Sequence, residues 1–175
     1  MTPTVIAGKP AETEYASYYG RYVALVADPD IVAALDHQLK STRTLLDTIS
    51  EEKAGHRYEP GKWSIKQLVG HIADTERIFA HRALRFARND RTELPGFDEN
   101  AYAANANFGD LPLSSVVEEY ATVRQASIVL FKHLEKDAWN RRGIANKNEV
   151  SVRAIAFLIA GHELHHIGIL KTRYL

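Results

Sequence analysis

The chain is 175 residues long, with 22 Lys+Arg against 22 Asp+Glu and no cysteine. One domain of that length buries roughly 70% of its unfolded surface, and the balanced charge supplies no field to draw nucleic acid or an anionic membrane. The absence of thiols excludes disulfides, thiolate metal ligands and a cysteine nucleophile, so a metal must be held by nitrogen and oxygen. The first twenty residues, MTPTVIAGKPAETEYASYYG, hold no apolar run of the signal-peptide kind. The longest apolar run, Ala154 to Ala160, falls far short of the roughly 20 residues of a membrane span. The expectation is a single cytoplasmic domain over residues 1–175, with neither nucleic-acid nor membrane partners.

In chain order, the stretch EYASYYGRYVAL predicts a short tyrosine-rich helix. The first long helix is predicted to open at DPDIVAAL, with Asp28 as N-cap and Pro29 at the first helical position. Its apolar stripe is Ile31, Leu35, Leu39, Leu45, Leu46 and Ile49; Gln38 and Thr42 fall inside it, so two polar groups point inward. The second helix follows EPGKW, where the capping-box spacing of Ser64 and Gln67 puts the start just after Trp63. Leu68, His71, Ile72, Thr75, Ile78, Phe79 and Phe86 share its broad inner face. The stretch Asn89 to Pro112 is too long for a plain connection, and Phe97, Tyr102 and Phe108 predict that it packs across the bundle. A third helix runs from about Ser115, with Glu118 completing a second capping box, to about Leu134; Val116, Tyr120, Val123, Ser127 and Phe131 face inward. The fourth runs from Ser151 almost to the end of the chain. No internal repeat and no strand is predicted, and the pattern is an all-α four-helix bundle.

Eight histidines occur, and position separates them. At about 100° per residue, His162 and His166 share one narrow sector of the fourth helix with Ile155, Leu158, Ile159 and Ile169. His71 sits at the centre of the second helix's apolar face. Three histidines on inner faces of two helices can converge, and an i, i+4 pair brings two rings to one ion at about 2.0–2.1 Å. Three nitrogens around zinc leave a fourth position open, as in catalytic sites. The alternative is three core histidines satisfied by hydrogen bonds. His165, about 60° to one side of His162, is a candidate to replace a ligand or to sit behind one. His37, His56, His81 and His133 lie off the stripes or in loops and read as surface.

His162-Glu163-x-x-His166 also matches the H-E-x-x-H pattern of zinc proteases. After His166 only IGILKTRYL remains, without a histidine, aspartate or glutamate to serve as third ligand. No strand pattern builds a substrate-aligning sheet. Glu163 lies about 100° from His162 and is expected to face a neighbouring helix instead of the metal. The protease spacing is therefore read as coincidence.

PGKWSIKQLVGHIADTERIFAHRALRFARND, LPGFDENAY and IAGHELHHIGIL, in that order, resemble the DinB/YfiT-like superfamily. The resemblance covers about Ile31 to Leu170, and its most specific parts are the Trp63 to His71 spacing and the terminal H-x-x-x-H. It implies an up-down-down-up four-helix bundle, with Asn89 to Pro112 as the long crossover. It also implies a divalent metal, commonly zinc or nickel, held by His71, His162 and His166 in an open pocket, and a homodimer. Relatives include bacillithiol S-transferases and mycothiol-dependent maleylpyruvate isomerase, and others provisionally described as metal-dependent hydrolases. Fold and metal do not fix chemistry.

The resulting expectation is a metal-dependent enzyme of the low-molecular-weight-thiol S-transferase type acting on a small-molecule substrate. Its alternatives are a metal-dependent hydrolase and a non-catalytic metal- or small-molecule-binding module. An exogenous thiol would take the open position as thiolate, which needs no cysteine in the chain. Gln38, Thr42 and Thr75 are candidate pocket-lining residues, with helix–helix hydrogen bonding as the alternative. Arg82 and Arg124 are expected to be exposed ends of long side chains, with binding of a substrate carboxylate as the alternative. Asp74 is assigned to the surface.

Overall fold

The computed structural model describes residues 8–175; the first seven of the twenty residues read for a signal peptide lie outside them. Two 3-10 turns, Glu12–Glu14 and Ser17–Tyr19, lead into the short helix α1, Gly20–Val23. Helix α2 spans Ile31–Leu46 and α3 spans Glu51–Ala54. Helix α4 spans Ile65–Ala87, and α5, Glu99–Asn105, lies within the crossover. Helix α6 spans Leu113–Lys132. Strands β1, Arg142–Ala145, and β2, Asn148–Ser151, pair antiparallel before α7, Val152–Ile169, which ends in a π-helical turn at Leu170–Tyr174.

Helix starts follow side-chain capping, though not always by the predicted residue. Both arms of the Ser64–Gln67 box are formed at the head of α4. In α2 the cap is Asp30, whose carboxylate accepts from the N–H groups of Val32 and Ala33. Asp28 instead accepts from the Asp30 N–H, a turn just before the helix, and Pro29 stays outside. Helix α6 begins two residues before Ser115 and forms no Ser115–Glu118 box. Its first N–H, on Leu113, donates to Glu51 Oε2 at 2.8 Å, so its cap comes from elsewhere in the chain.

The hairpin is a departure from the all-helical expectation. Asn146 and Lys147 take φ of 50° and 64°, the left-handed pair that a two-residue hairpin turn demands. Each strand is only four residues long, too short for alternation to stand out. Leu94 bridges Ala145, which fastens the crossover to the hairpin. Elsewhere in the crossover Phe108 is buried on Gly70, where a Cβ would lie 2.3 Å from the ring. Tyr102, expected to pack inward, is 44% exposed.

Each of the four long helices packs on two of the others, α4 on α6 and α7, α7 on α4 and α2, and α2 on α6, while α1 adds a further neighbour for α7. Glu51, just past the end of α2, pairs with Lys66 at the start of α4 and caps the start of α6. The Tyr174 hydroxyl, beyond α7, donates to the Trp63 carbonyl before α4 at 2.6 Å. Thus α4 and α6 begin, and α7 finishes, at the end of the bundle where α2 finishes. Every residue of α7 from Ala154 to Glu163 is buried, as expected of a helix apolar all round. Helix α1 crosses α7 at Gly161, where a Cβ would stand 2.1 Å from the Tyr22 carbonyl oxygen. No described helix is long and apolar enough to cross a membrane.

Candidate metal centre

The packing of α4 against α7 brings three imidazoles together. His71 Nε2 lies 3.0 Å from His162 Nε2, and His166 Nε2 lies 3.1 Å from the same atom. The three ligand atoms fall within 4.8 Å of one another. His162 and His166 are one helical turn apart on α7, and His71 meets them from the inner face of α4. The Trp63 ring, held at the entry to α4, packs on His71 with centroids 4.6 Å apart. Tyr22, delivered by the α1 crossing at Gly161, meets His162 edge-on at 5.7 Å.

Burial sets the charge of these rings. It pushes His71 down to about 4. Burial first, then repulsion from His71 and His165 where they too are protonated and from Arg21, pushes His166 down to about 3. His162 falls well below its ordinary value, through burial and then through His166 and His71 beside it. At neutral pH all three rings are uncharged, which is the ligating form.

Hydrogen bonding does not account for the cluster. In the plane of its ring, His162 Nε2 has one proton or one lone pair to offer, yet two Nε2 atoms approach it. His166 Nδ1 is buried without a partner. His71 Nδ1 lies 3.5 Å from Thr75 Oγ1, a long contact that orients the ring with Nε2 toward the cluster. Two nitrogens on one tetrahedral zinc stand roughly 3.3 Å apart, close to the spacing found here. The donor set, three neutral imidazoles at one point, fits a divalent ion.

His165 does not join them: its ring lies on the cavity wall, 5.4 Å from Tyr22 and 5.1 Å from His166 between centroids. His37, His56, His81 and His133 are exposed. Glu163 turns away from the cluster, and its Oε1 accepts from Thr42 Oγ1 at 2.5 Å and from the Tyr120 hydroxyl at 2.9 Å. Its Oε2 is 2.6 Å from Arg124 Nη2, a charge contact outside hydrogen-bond alignment. Both oxygens are thus engaged away from the histidines, and the protease role has no acid to perform it.

Of the three polar residues expected at the pocket, only Thr75 lines the cavity over the cluster. Thr42 is bound to Glu163, and Gln38 Oε1 accepts from Arg124 Nη1 at 3.4 Å. Both sit on α2, which packs on α6 and α7 and so reaches α7 on the face carrying Glu163. The arginines also depart from expectation. Arg124 is 0% exposed and forks onto Glu76 at 2.8–3.1 Å, while Arg82 is 5% exposed and lines the cavity. Glu76 on the buried face of α4 and Glu163 at the end of the apolar stretch of α7 were the sequence signal for a buried cation. Asp74 is half-buried beside Arg77.

The cavity beside the cluster holds about 400 Å³. Tyr19, Tyr22, Trp63 and Phe97 contribute walls that the histidine pattern alone did not reveal. A sequence profile of the DinB superfamily matches residues 34–170, which include all three histidines. The chain belongs to the DinB superfamily. A provisionally named metal-dependent hydrolase of Oceanobacillus iheyensis is 26% identical over 128 residues, 72% of this chain and 73% of its own length. YfiT from Bacillus subtilis, described provisionally as a metal-dependent hydrolase with an unusual four-helix bundle topology, superposes with a TM-score of 0.67. That match is at 17% identity and covers 94% of this chain and 90% of YfiT. The mycothiol-dependent maleylpyruvate isomerase superposes with a TM-score of 0.65 at 12% identity, over 78% of this chain and 58% of its own. Likenesses this distant in sequence carry the four-helix bundle and nothing finer.

Proposed function

We propose that His71, His162 and His166 hold one divalent ion, zinc or nickel, and that this DinB-superfamily protein is a metal-dependent enzyme acting on a small molecule in the adjoining cavity. The observation that carries this reading is the meeting of three neutral Nε2 atoms at one point, more than hydrogen bonding there can satisfy. The ion would supply Lewis acidity at a fourth position left open by three protein ligands, making a protic group placed there more acidic.

The chain's own residues define what accompanies it. Thr75 holds the His71 ring with Nε2 toward the cluster. Trp63 and Tyr22 cover two of the rings and keep water off them. Glu163 is occupied by Arg124, Tyr120 and Thr42, so it is not a base for the cavity. Among the described residues the only acid on the cavity wall is Glu99, which is exposed. Apart from that residue and His165 no base but the ligands themselves stands on the described wall, so a nucleophile that ionises without a buried carboxylate is favoured, and a thiol does so far more readily than water. The reading is a low-molecular-weight-thiol S-transferase whose thiol arrives with a second substrate, in keeping with a chain that has no cysteine. The mycothiol dependence of the superposed isomerase supports it. A hydrolase is the second reading, favoured by the names given to the Oceanobacillus and Bacillus proteins.

Metal-loaded protein incubated with an aryl halide, an epoxide and an ester, each with and without a low-molecular-weight thiol, separates the readings. Product that requires both metal and thiol is expected. Ester cleavage that needs metal but no thiol would establish the hydrolase instead, and no turnover of any electrophile would leave a binding module.

A further inference from the structure

Buried arginines usually stand opposite buried carboxylates, because an unpaired charge out of water is costly. Arg124 obeys this with Glu76 and Glu163. Arg82, 5% exposed, does not: among the described residues no aspartate or glutamate lies within ion-pair distance of it. Its Nη2 donates to the Pro95 carbonyl at 2.8 Å, and the guanidinium carbon sits 5.5 Å from the Phe79 ring centroid. The Pro95 carbonyl and the neighbouring Tyr19 hydroxyl are both uncharged and leave most of the five N–H donors unanswered. Burial presses the Arg82 pKa down, but a guanidinium keeps its proton, so the charge remains. The residue lines the same cavity as the histidines; the other arginine of that wall, Arg21, stands at the histidine end, where it acts on His165 and His166.

The position along α4 sets a length. Arg82 lies eleven residues beyond His71 on the same helix, roughly 16 Å along the axis. Both side chains lean back toward the helix N-terminus, arginine reaching further than histidine, so the gap is on the order of 10–15 Å. Between the two ends the cavity wall is largely aromatic, with Tyr19, Phe79 and Phe97.

We propose that Arg82 anchors a carboxylate of the cavity's ligand, so that the protein acts on elongated small molecules with an apolar or aromatic body and an anionic end remote from the histidines. A single guanidinium matches the single charge and planar fork of a carboxylate better than the double charge of a phosphate monoester. The reacting end of such a ligand rests on the functional reading given above; the anionic end rests on Arg82 alone.

The two are separable by calorimetric titration of the full chain with 6-phenylhexanoate and with its uncharged counterpart 6-phenylhexanol. Titrations are run on protein as purified and after chelation, with metal content measured in the same samples. The acid is expected to bind at least tenfold more tightly than the alcohol, with and without metal. Arg82→Gln is expected to weaken the acid by roughly ten- to hundredfold, to leave the alcohol and the metal content unchanged, and Arg82→Lys to retain part of the difference. Equal binding of acid and alcohol to the unaltered chain overturns the proposal, as does an Arg82→Gln variant that binds the acid undiminished or an unaltered chain that binds no acid at all. Should Arg82→Gln lose its helical circular dichroism, the acid–alcohol comparison and its weakening by salt on the unaltered chain decide the matter. Acid selectivity in a chain that takes up no metal would uphold the anchor and sink the metal reading.

Discussion

The Arg124 network, centred on α6, and the histidine cluster both draw on α4 and α7 and resolve in opposite ways. Helix α4 gives Glu76 to one and His71 to the other; α7 gives Glu163 to one and its flanking His162 and His166 to the other. Around Arg124 the charges answer one another, Glu163 Oε2 by ion-pair contact alone, with Tyr120 and Thr42 bonded to Glu163 Oε1 and Gln38 to Arg124. In the cluster two nitrogens compete for one, and His166 Nδ1 has no partner. Polarity inside a bundle is therefore not by itself a sign of function; what separates scaffold from site is whether the polar atoms are saturated by the protein.

The comparison is broken most directly at its saturated side. Arg124→Ala leaves two buried carboxylates facing each other and is expected to cost about 3–5 kcal/mol in urea unfolding. His162→Ala, which relieves a crowded cluster, is expected to cost the metal-free protein only about 1 kcal/mol. Equal losses would erase the distinction between the regions.

A pH titration of metal-free stability comes next. The unfolded chain protonates its histidines near 6.5, whereas folding holds His71 to about 4 and His166 to about 3. Between those values the unfolded state binds more protons, so stability falls as pH drops from about 6.5 toward 4 and levels off below the folded values. The loss is expected to be on the order of a few kcal/mol, and His71→Ala should flatten the slope. A flat profile in the unaltered chain would mean that folding leaves the rings at their ordinary values and does not dry them.

Smaller effects test the walls. Gly161→Ala drives a Cβ into the Tyr22 carbonyl and is expected to cost about 1–3 kcal/mol by pushing α1 off α7, seen as a lowered melting temperature. Thr75→Val removes the partner of His71 Nδ1 and is expected to weaken metal binding about tenfold, with little change in melting. Unaltered affinity would remove Thr75 from the site.

Much of the bundle was legible because periodicity and capping act locally. The start of α4 follows from Ser64 and Gln67, and the inward placement of His71, His162 and His166 follows from the stripes they share with Ile72, Leu158 and Ile159. The same angular reasoning turned Glu163 away from the histidines, as found. What was not legible depends on residues far apart in the chain. The cap of α6 is Glu51, the partners of Arg124 come from α4 and α7, and the face of α2 carrying Gln38 and Thr42 is decided by which neighbour α2 meets. The hairpin escaped because its turn is Asn146-Lys147, without the glycine that usually marks a left-handed pair. Which histidine of the His165–His166 pair enters the cluster rested on a 60° offset and is resolved only by the docking of α4 and α1 on α7.

The central claim is that His71, His162 and His166 form a metal site and not a polar core. Mass-spectrometric metal content of the purified, untagged chain, measured beside His162→Ala, tests it most directly. The expected result is close to one divalent ion per chain, lost in a variant that keeps its helical circular dichroism. An unaltered chain that is empty and still takes up neither added zinc nor added nickel would contradict it.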